Sequence, residues 1–217
     1  MEPIAILDYG GGNVANARNA FEHEGAHVVI TADHETIRRA PGVVFPGVGA
    51  TADVMGGLEA RGLAPIIHEV IDRGTTPFLG ICVGLQVLLD RSEEGETHPC
   101  LGITPGAVRR LPQGIIVPHM GWNAVRQIQS HPLWDGIPDL TPFYFVHSFF
   151  CDSADPTWVA GETAYGLNFA SVLARGNVMG TQFHPEKSGA AGLRLLRNFI
   201  GIVKGAHALL HAPATVR

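Results

Sequence analysis

Four apolar residues, Ile4 to Leu7, end at Asp8 and a run of three glycines, Gly10 to Gly12. A short apolar run closed by glycine reads as a buried strand entering a tight turn. Val14, Ala17, Ala20 and Phe21 then recur at helical spacing until Gly25, with Asn13 in the N-cap place. His27 to Thr31 reads as a second strand, Asp33 to Ala40 as a short helix, and Val43 to Phe45 as a third strand that breaks at Pro46-Gly47. A helix over Leu63 to Arg73, a strand at Phe78-Leu79 and a helix from Cys82 to about Asp90 continue the alternation. Such alternation predicts a parallel sheet covered on both faces, with ligands gathered beyond the carboxyl ends of its strands.

After Gly95 the rhythm changes. Strands are expected at Ile115 to Val117, Trp122 to Ile128, Phe143 to Val146 and Trp158 to Ala160, and Val172 to Phe183 reads as a hairpin around Arg175-Gly176-Asn177. Ser188 is placed to cap a final helix whose Leu193, Leu196, Phe199, Ile200 and Val203 share a face, with partial fraying expected after Gly205. The fold expected is α/β and flavodoxin-like, one domain over residues 1–217. It has a mostly parallel central sheet with helices on both faces and a mixed or antiparallel C-terminal half.

Composition narrows the function classes. With 46% hydrophobic and 16% charged residues in 217, the chain is neither a disordered acidic tail nor a coiled coil, and it can bury a core without a staple. Fifteen basic against 20 acidic residues give a net charge of -5, and no stretch is dense in Lys or Arg, so no nucleic-acid partner is expected. Cys82, Cys100 and Cys151 are widely spaced with no CxxC pair, which speaks against a disulfide framework or a thiolate zinc site; no metal or cofactor is implied. There is no cleavable leader pattern and no apolar run of ~20 residues, so a cytoplasmic protein that does not engage membranes is expected.

Three turns carry candidate chemistry. Gly10-x-Gly12-x-x-Ala15, with Asp33 at the end of the next strand, has the spacing of a dinucleotide fingerprint, although a plain glycine turn explains it at least as well. Gly80-Ile81-Cys82-Val83-Gly84 is a stronger signal, a nucleophile elbow with Cys in the place of Ser. There the helix start favours thiolate, and the Val83 amide is placed to donate to an oxyanion; the alternative is a buried Cys acting as a small hydrophobe. His184-Pro185-Glu186 offers the base and its orienting carboxylate, whereas His23, His34, His68 and His98 read as ordinary surface residues. Pro46-Gly47-Val48-Gly49 follows the third strand at the same sheet edge, where glycines let backbone amides turn toward a substrate carbonyl.

Together these segments resemble the class I, or triad, glutamine amidotransferases, over nearly the whole chain. The likeness narrows to the glutaminase subunits of imidazole glycerol phosphate synthases. Its carriers are Asp8-Tyr9-Gly10-Gly11-Gly12-Asn13, the Pro46 turn, the elbow through Leu85-Gln86, Pro118-His119-Met120-Gly121-Trp122-Asn123, Tyr144-Phe145-Val146-His147-Ser148, and Gln182 through Ser188. The resemblance implies hydrolysis of L-glutamine through a Cys82 thioester, with His184 as acid and base and Glu186 holding its tautomer. It implies a heterodimer in which ammonia passes to a (β/α)8-barrel cyclase in histidine biosynthesis, and a free subunit whose oxyanion amide is misdirected.

Oxyanion or substrate contacts then fall to Gly47, Val48, Gly49, Val83, Gln86 and Ser148, and the ammonia passage or partner face to Asn13, Asn16, Trp122 and Lys187. Phe149 stands where Tyr is frequent, and the tail from Ala206 runs past the family's usual end. The alternatives are the glutaminase of an anthranilate or aminodeoxychorismate synthase, a dinucleotide-binding module, and a non-catalytic regulatory subunit. Leu85 and Lys187 depart from the residues usual in the first.

Overall fold

A computed structural model describes residues 2–210. Its first half alternates as expected: β1 (Ile4–Leu7), α1 (Val14–His23), β2 (Val28–Thr31), α2 (His34–Arg39), β3 (Val43–Gly47), α3 (Thr51–Ala60), α4 (Leu63–Asp72), β4 (Phe78–Cys82) and α5 (Val83–Gln86). The second half is strand-rich: β5 (Arg91–Ser92), β6 (His98–Pro99), β7 (Gly106–Arg110), β8 (His119–Gln127), β9 (Thr141–His147), β10 (Phe149–Ser153), β11 (Val159–Ala164), β12 (Asn168–Arg175) and β13 (Val178–Thr181). The helix α6 (Gly189–Leu210) closes it.

The sheet runs β2-β1-β3-β4-β13-β12-β10-β7-β5-β6, with β11 on β12 and the β8–β9 pair attached through β11. From β2 to β13 every pairing is parallel; β12, β10 and β7 continue antiparallel. The step from β1 to β2 moves one way along the sheet and the steps to β3 and β4 the other, so right-handed crossovers put α1 on one face and α2 to α4 on the opposite one. The packing agrees: α1 meets α6, with Phe21 edge-on to Phe199 at 6.1 Å, while α4 packs on α2 and α3. Phe45, Phe78, Phe143, Phe145 and Phe183 are also fully buried, and truncating such a ring to Ala costs about 3–5 kcal/mol.

Several elements differ from expectation. The elbow helix stops at Gln86 instead of reaching Asp90, because the carbonyls of Val87, Leu88 and Leu89 accept from the amides of residues 101–104 on the returning chain. β3 does not break at Pro46 but runs through it, a place a strand tolerates where the proline nitrogen has no ladder bond to make. Ile115 to Val117 is not a strand; it precedes Pro118, and Ile116 is 80% exposed. α3 lay hidden because Gly56 and Gly57 dilute the Val54 and Leu58 stripe. Asn13 stands at the N-cap of α1 without a side-chain cap bond. The Ser188 hydroxyl does not cap α6 either; it donates to the His184 carbonyl at 2.6 Å and accepts from the Tyr144 amide at 2.9 Å. α6 continues past Gly205 to Leu210, and residues 211–217 of the tail expected to fray lie outside the described residues. No helix among the described residues is long and apolar enough to cross a membrane.

Candidate active site

Three adjacent parallel strands end level with one another. Gly47 of β3 pairs with Cys82 of β4, and Ile81 pairs with Thr181 of β13, three residues before His184. The sheet therefore delivers the Pro46 turn, the Cys82 sulfur and the His184 imidazole to a single edge. Cys82 holds φ 54 and ψ -111, a conformation that L residues avoid and that marks a nucleophile on a sharp strand-to-helix turn. The flanking glycines permit it by close approach: a Cβ on Gly84 would collide with the Phe45 carbonyl, and one on Gly80 would lie 2.6 Å from the Gly84 carbonyl oxygen. Val83, as the first residue of α5, presents an amide with no partner inside the helix.

A cavity of about 320 Å³ opens above the sulfur. Among its lining residues are Cys82, Val83, Gln86, Val48, Gly49, Ser148, His184 and Lys187, all expected from sequence, together with Glu94, His147 and Phe149, which were not. His184 Nδ1 donates to Glu186 Oε1 at 2.7 Å, which leaves Nε2 for the sulfur. Burial acts to lower the His184 pKa, but hydrogen bonds to Cys82 and Glu186, and the charges they carry, hold it up at about 9. The imidazole is thus protonated at neutral pH and ready to act first as an acid. The other thiols have no such setting: burial pushes Cys100 up to about 11 and Cys151 well above the ordinary thiol range.

The Val48 amide donates to the Tyr9 hydroxyl at 3.3 Å, and Gly49 takes φ +89 beside it. Gln86 is nearly fully buried and uses its amide nitrogen on the Phe149 carbonyl at 2.9 Å and on Gln182 Oε1 at 3.1 Å, so its own oxygen is what it offers to the cavity. Glu94 is held by the amide and hydroxyl of Thr51, at 2.7 and 3.0 Å. His98, expected to stand alone, lies 3.1 Å from the Thr51 hydroxyl and belongs to that cluster. His34 also has a partner, the Arg61 carbonyl at 3.1 Å.

The first glycine turn makes no cradle for a pyrophosphate. The Arg61 guanidinium occupies the space a Gly10 side chain would fill, and Asp33 caps α2 by accepting from the Thr36 amide at 2.8 Å and its hydroxyl at 2.6 Å. Asn13 is half-buried and Asn16 exposed on α1, and Trp122 and Lys187 are exposed.

The sequence pattern of the class-I glutamine amidotransferases matches residues 5–202. The chain belongs to that family. The amidotransferase is 52% identical over 197 residues to imidazole glycerol phosphate synthase subunit HisH of Herpetosiphon aurantiacus, covering 91% of this chain and 93% of that protein. It is 50% identical over 206 residues to the subunit of the same name from Moorella thermoacetica, covering 95% and 98%. Among solved structures, PurLQS from Thermotoga maritima superposes with a TM-score of 0.72 at 20% identity, over 94% of this chain and 99% of that one, a likeness of fold.

Proposed function

We propose that this amidotransferase is the glutaminase subunit of imidazole glycerol phosphate synthase, a single domain over residues 1–217 acting in the cytoplasm. The observation that carries the reading is the His184 imidazole bridging Cys82 and Glu186 at the floor of an amino-acid-sized cavity. Relatives about half identical over more than nine-tenths of the chain support the subfamily.

In this reading the Cys82 sulfur, its proton held by His184, attacks the side-chain amide carbon of L-glutamine. The oxyanion is received by the Val83 amide and, once turned from Tyr9, by the amide of Val48 between Gly47 and Gly49. His184 passes its proton to the amide nitrogen, ammonia leaves, and a thioester to Cys82 remains. His184 then takes a proton from water, which attacks the thioester and releases glutamate. Glu186 keeps the imidazole oriented throughout. Gln86 and Ser148 contact the bound glutamine, and the Glu94 carboxylate is suited to its α-ammonium group.

The ammonia is delivered to a cyclase with a (β/α)8 barrel. Met120 and Trp122, 63% and 57% exposed on β8, are large apolar side chains of the kind interfaces bury, and with Asn13, Asn16 and Lys187 they form the face assigned to that partner. The test is ammonia production from glutamine by the chain alone and then with a cyclase barrel and its nucleotide substrate. Strong stimulation by the pair is expected. Full activity alone, or none in either state, overturns the reading.

A further inference from the structure

A run of hydrogen bonds through two histidines ends on the Phe149 carbonyl, which a second run, leading to the Cys82 sulfur, also meets. At the far end of the first run Asn123, on β8, has its amide orientation fixed twice: Oδ1 accepts from the Ala124 amide at 2.8 Å and Nδ2 donates to the Ala164 carbonyl at 3.1 Å. Nδ2 therefore donates also to His119 Nε2, at 3.2 Å, which must carry a lone pair. The proton of His119 then sits on Nδ1, 2.9 Å from His147 Nε2, and His147 in turn donates from Nδ1 to the Phe149 carbonyl at 2.8 Å. That carbonyl can only accept, so the two tautomers are fixed identically from either end. Burial pushes both imidazoles down to about 4, and each is neutral as the chain demands.

The same carbonyl fixes the next link. Gln86 Nε2 donates to Phe149 O at 2.9 Å and to Gln182 Oε1 at 3.1 Å, so the nitrogen of Gln182 faces the other way, 3.8 Å from Cys82 Sγ. Gln182 is fully buried directly after β13, two residues before His184. A buried amide is costly unless its groups are paired, and here the pairing leaves one direction for the N–H, toward the sulfur.

We propose that Gln182 is a positioning residue for the nucleophile. Its side-chain amide donates to the Cys82 sulfur, and Gln86 Nε2, held on the Phe149 carbonyl, keeps that amide from turning over. The inference rests on Cys82 being the nucleophile. It adds a donor that fixes the sulfur's rotamer and favours its anionic form, a role separate from that of the general base.

Gln182→Leu keeps the bulk and removes the donor. A hydrogen bond to a charged group of this kind predicts a fall in kcat of about tenfold. The KM for glutamine should stay within about twofold, because Gln182 bonds to Gln86 and Cys82 and touches no substrate group in this reading. The discriminating measurement is alkylation of Cys82 by iodoacetamide in the full chain. Followed across pH, it should be about tenfold slower than wild type on the acid side of the rate profile and equal to it on the alkaline plateau, where the thiolate is fully formed in both.

Gln86→Leu removes the Nε2 that fixes Gln182 Oε1 and should show the same pH-dependent slowing, about threefold. This second variant decides the matter should Gln182→Leu fail to fold. Slowing that is equal at all pH values, or no slowing in a folded variant, overturns the proposal. Alkylation needs neither glutamine nor a partner, so failure of the subunit assignment would appear separately, as absence of glutaminase activity in the wild type.

Discussion

The backbone amide of Val48 is turned onto the phenolic oxygen of Tyr9, 3.3 Å away, and an N–H committed there is not aimed at a carbonyl carried by Cys82. Tyr9 is firmly held: its ring lies edge-on to Phe45 at 5.6 Å and its carbonyl accepts from Arg61 at 2.9 Å. Burial raises the Tyr9 pKa, so the hydroxyl is neutral at any ordinary pH. One neutral hydrogen bond between two segments distant in sequence thus holds half of the proposed oxyanion hole out of use.

Tyr9→Phe keeps the ring and releases the amide. Glutaminase activity of the chain alone should rise about three- to tenfold, the size of one hydrogen bond of about 1 kcal/mol, while the rate with cyclase and nucleotide stays near wild type. Steady-state ammonia release in the two conditions checks this, and a fall in the unstimulated rate would show that the hydroxyl assists catalysis.

For the triad, Cys82→Ala and His184→Ala should each lower kcat by on the order of 10⁴-fold or more, and Glu186→Gln by about 10²-fold, since Glu186 acts through the imidazole. Complex formation with the cyclase should survive Cys82→Ala. Ammonia release by that variant at a rate near wild type would remove Cys82 from the reaction.

The elbow was legible because it is local: a strand, two glycines that only close backbone approach explains, and a helix start all fall within a few residues of Cys82. What was misread depended on distant chain. Val87, Leu88 and Leu89 continue the helical apolar pattern, and only the amides of residues 101–104, arriving from a later loop, end the helix at Gln86. Glu94 had no distinguishing signal, since it stands between Glu93 and Glu96 in an acidic turn, and its selection comes from Thr51 at the start of α3. The same holds for Val48: its glycine neighbours announce a mobile amide, but Tyr9, the residue that holds it, lies on another strand's turn.

Glu94 gives a prediction of a different kind. If its carboxylate receives the α-ammonium of glutamine, Glu94→Gln should raise KM by about tenfold or more with kcat changed by less than about threefold, the pattern of lost ground-state binding. Thr51→Val, which removes the hydroxyl that orients Glu94, should show a smaller shift in the same direction. A loss confined to kcat would place Glu94 in the chemical step instead.

Stability should fall on both sides of neutrality, for opposite reasons. Burial pushes His119 and His147 down from 6.5 to about 4, so below about pH 6.5 the unfolded chain takes up protons that the folded one refuses, and stability is lost as pH falls toward 4. Each such histidine removes about 1 kcal/mol between roughly pH 6.5 and 5.5, or about 2–4 °C in Tm for a chain of this size. His184 behaves the other way: raised to about 9, it contributes fully below 6.5 and loses that contribution as pH climbs through 9. Thermal unfolding from about pH 4.5 to 9.5 should trace this dome. His119→Phe should flatten its acid limb by removing one refused proton and leave the alkaline limb alone; Cys82→Ala, which deletes the sulfur that helps hold up His184, should flatten the alkaline limb only. An acid limb unchanged by His119→Phe would mean that this buried histidine takes up its proton at the same pH in the folded and unfolded chains.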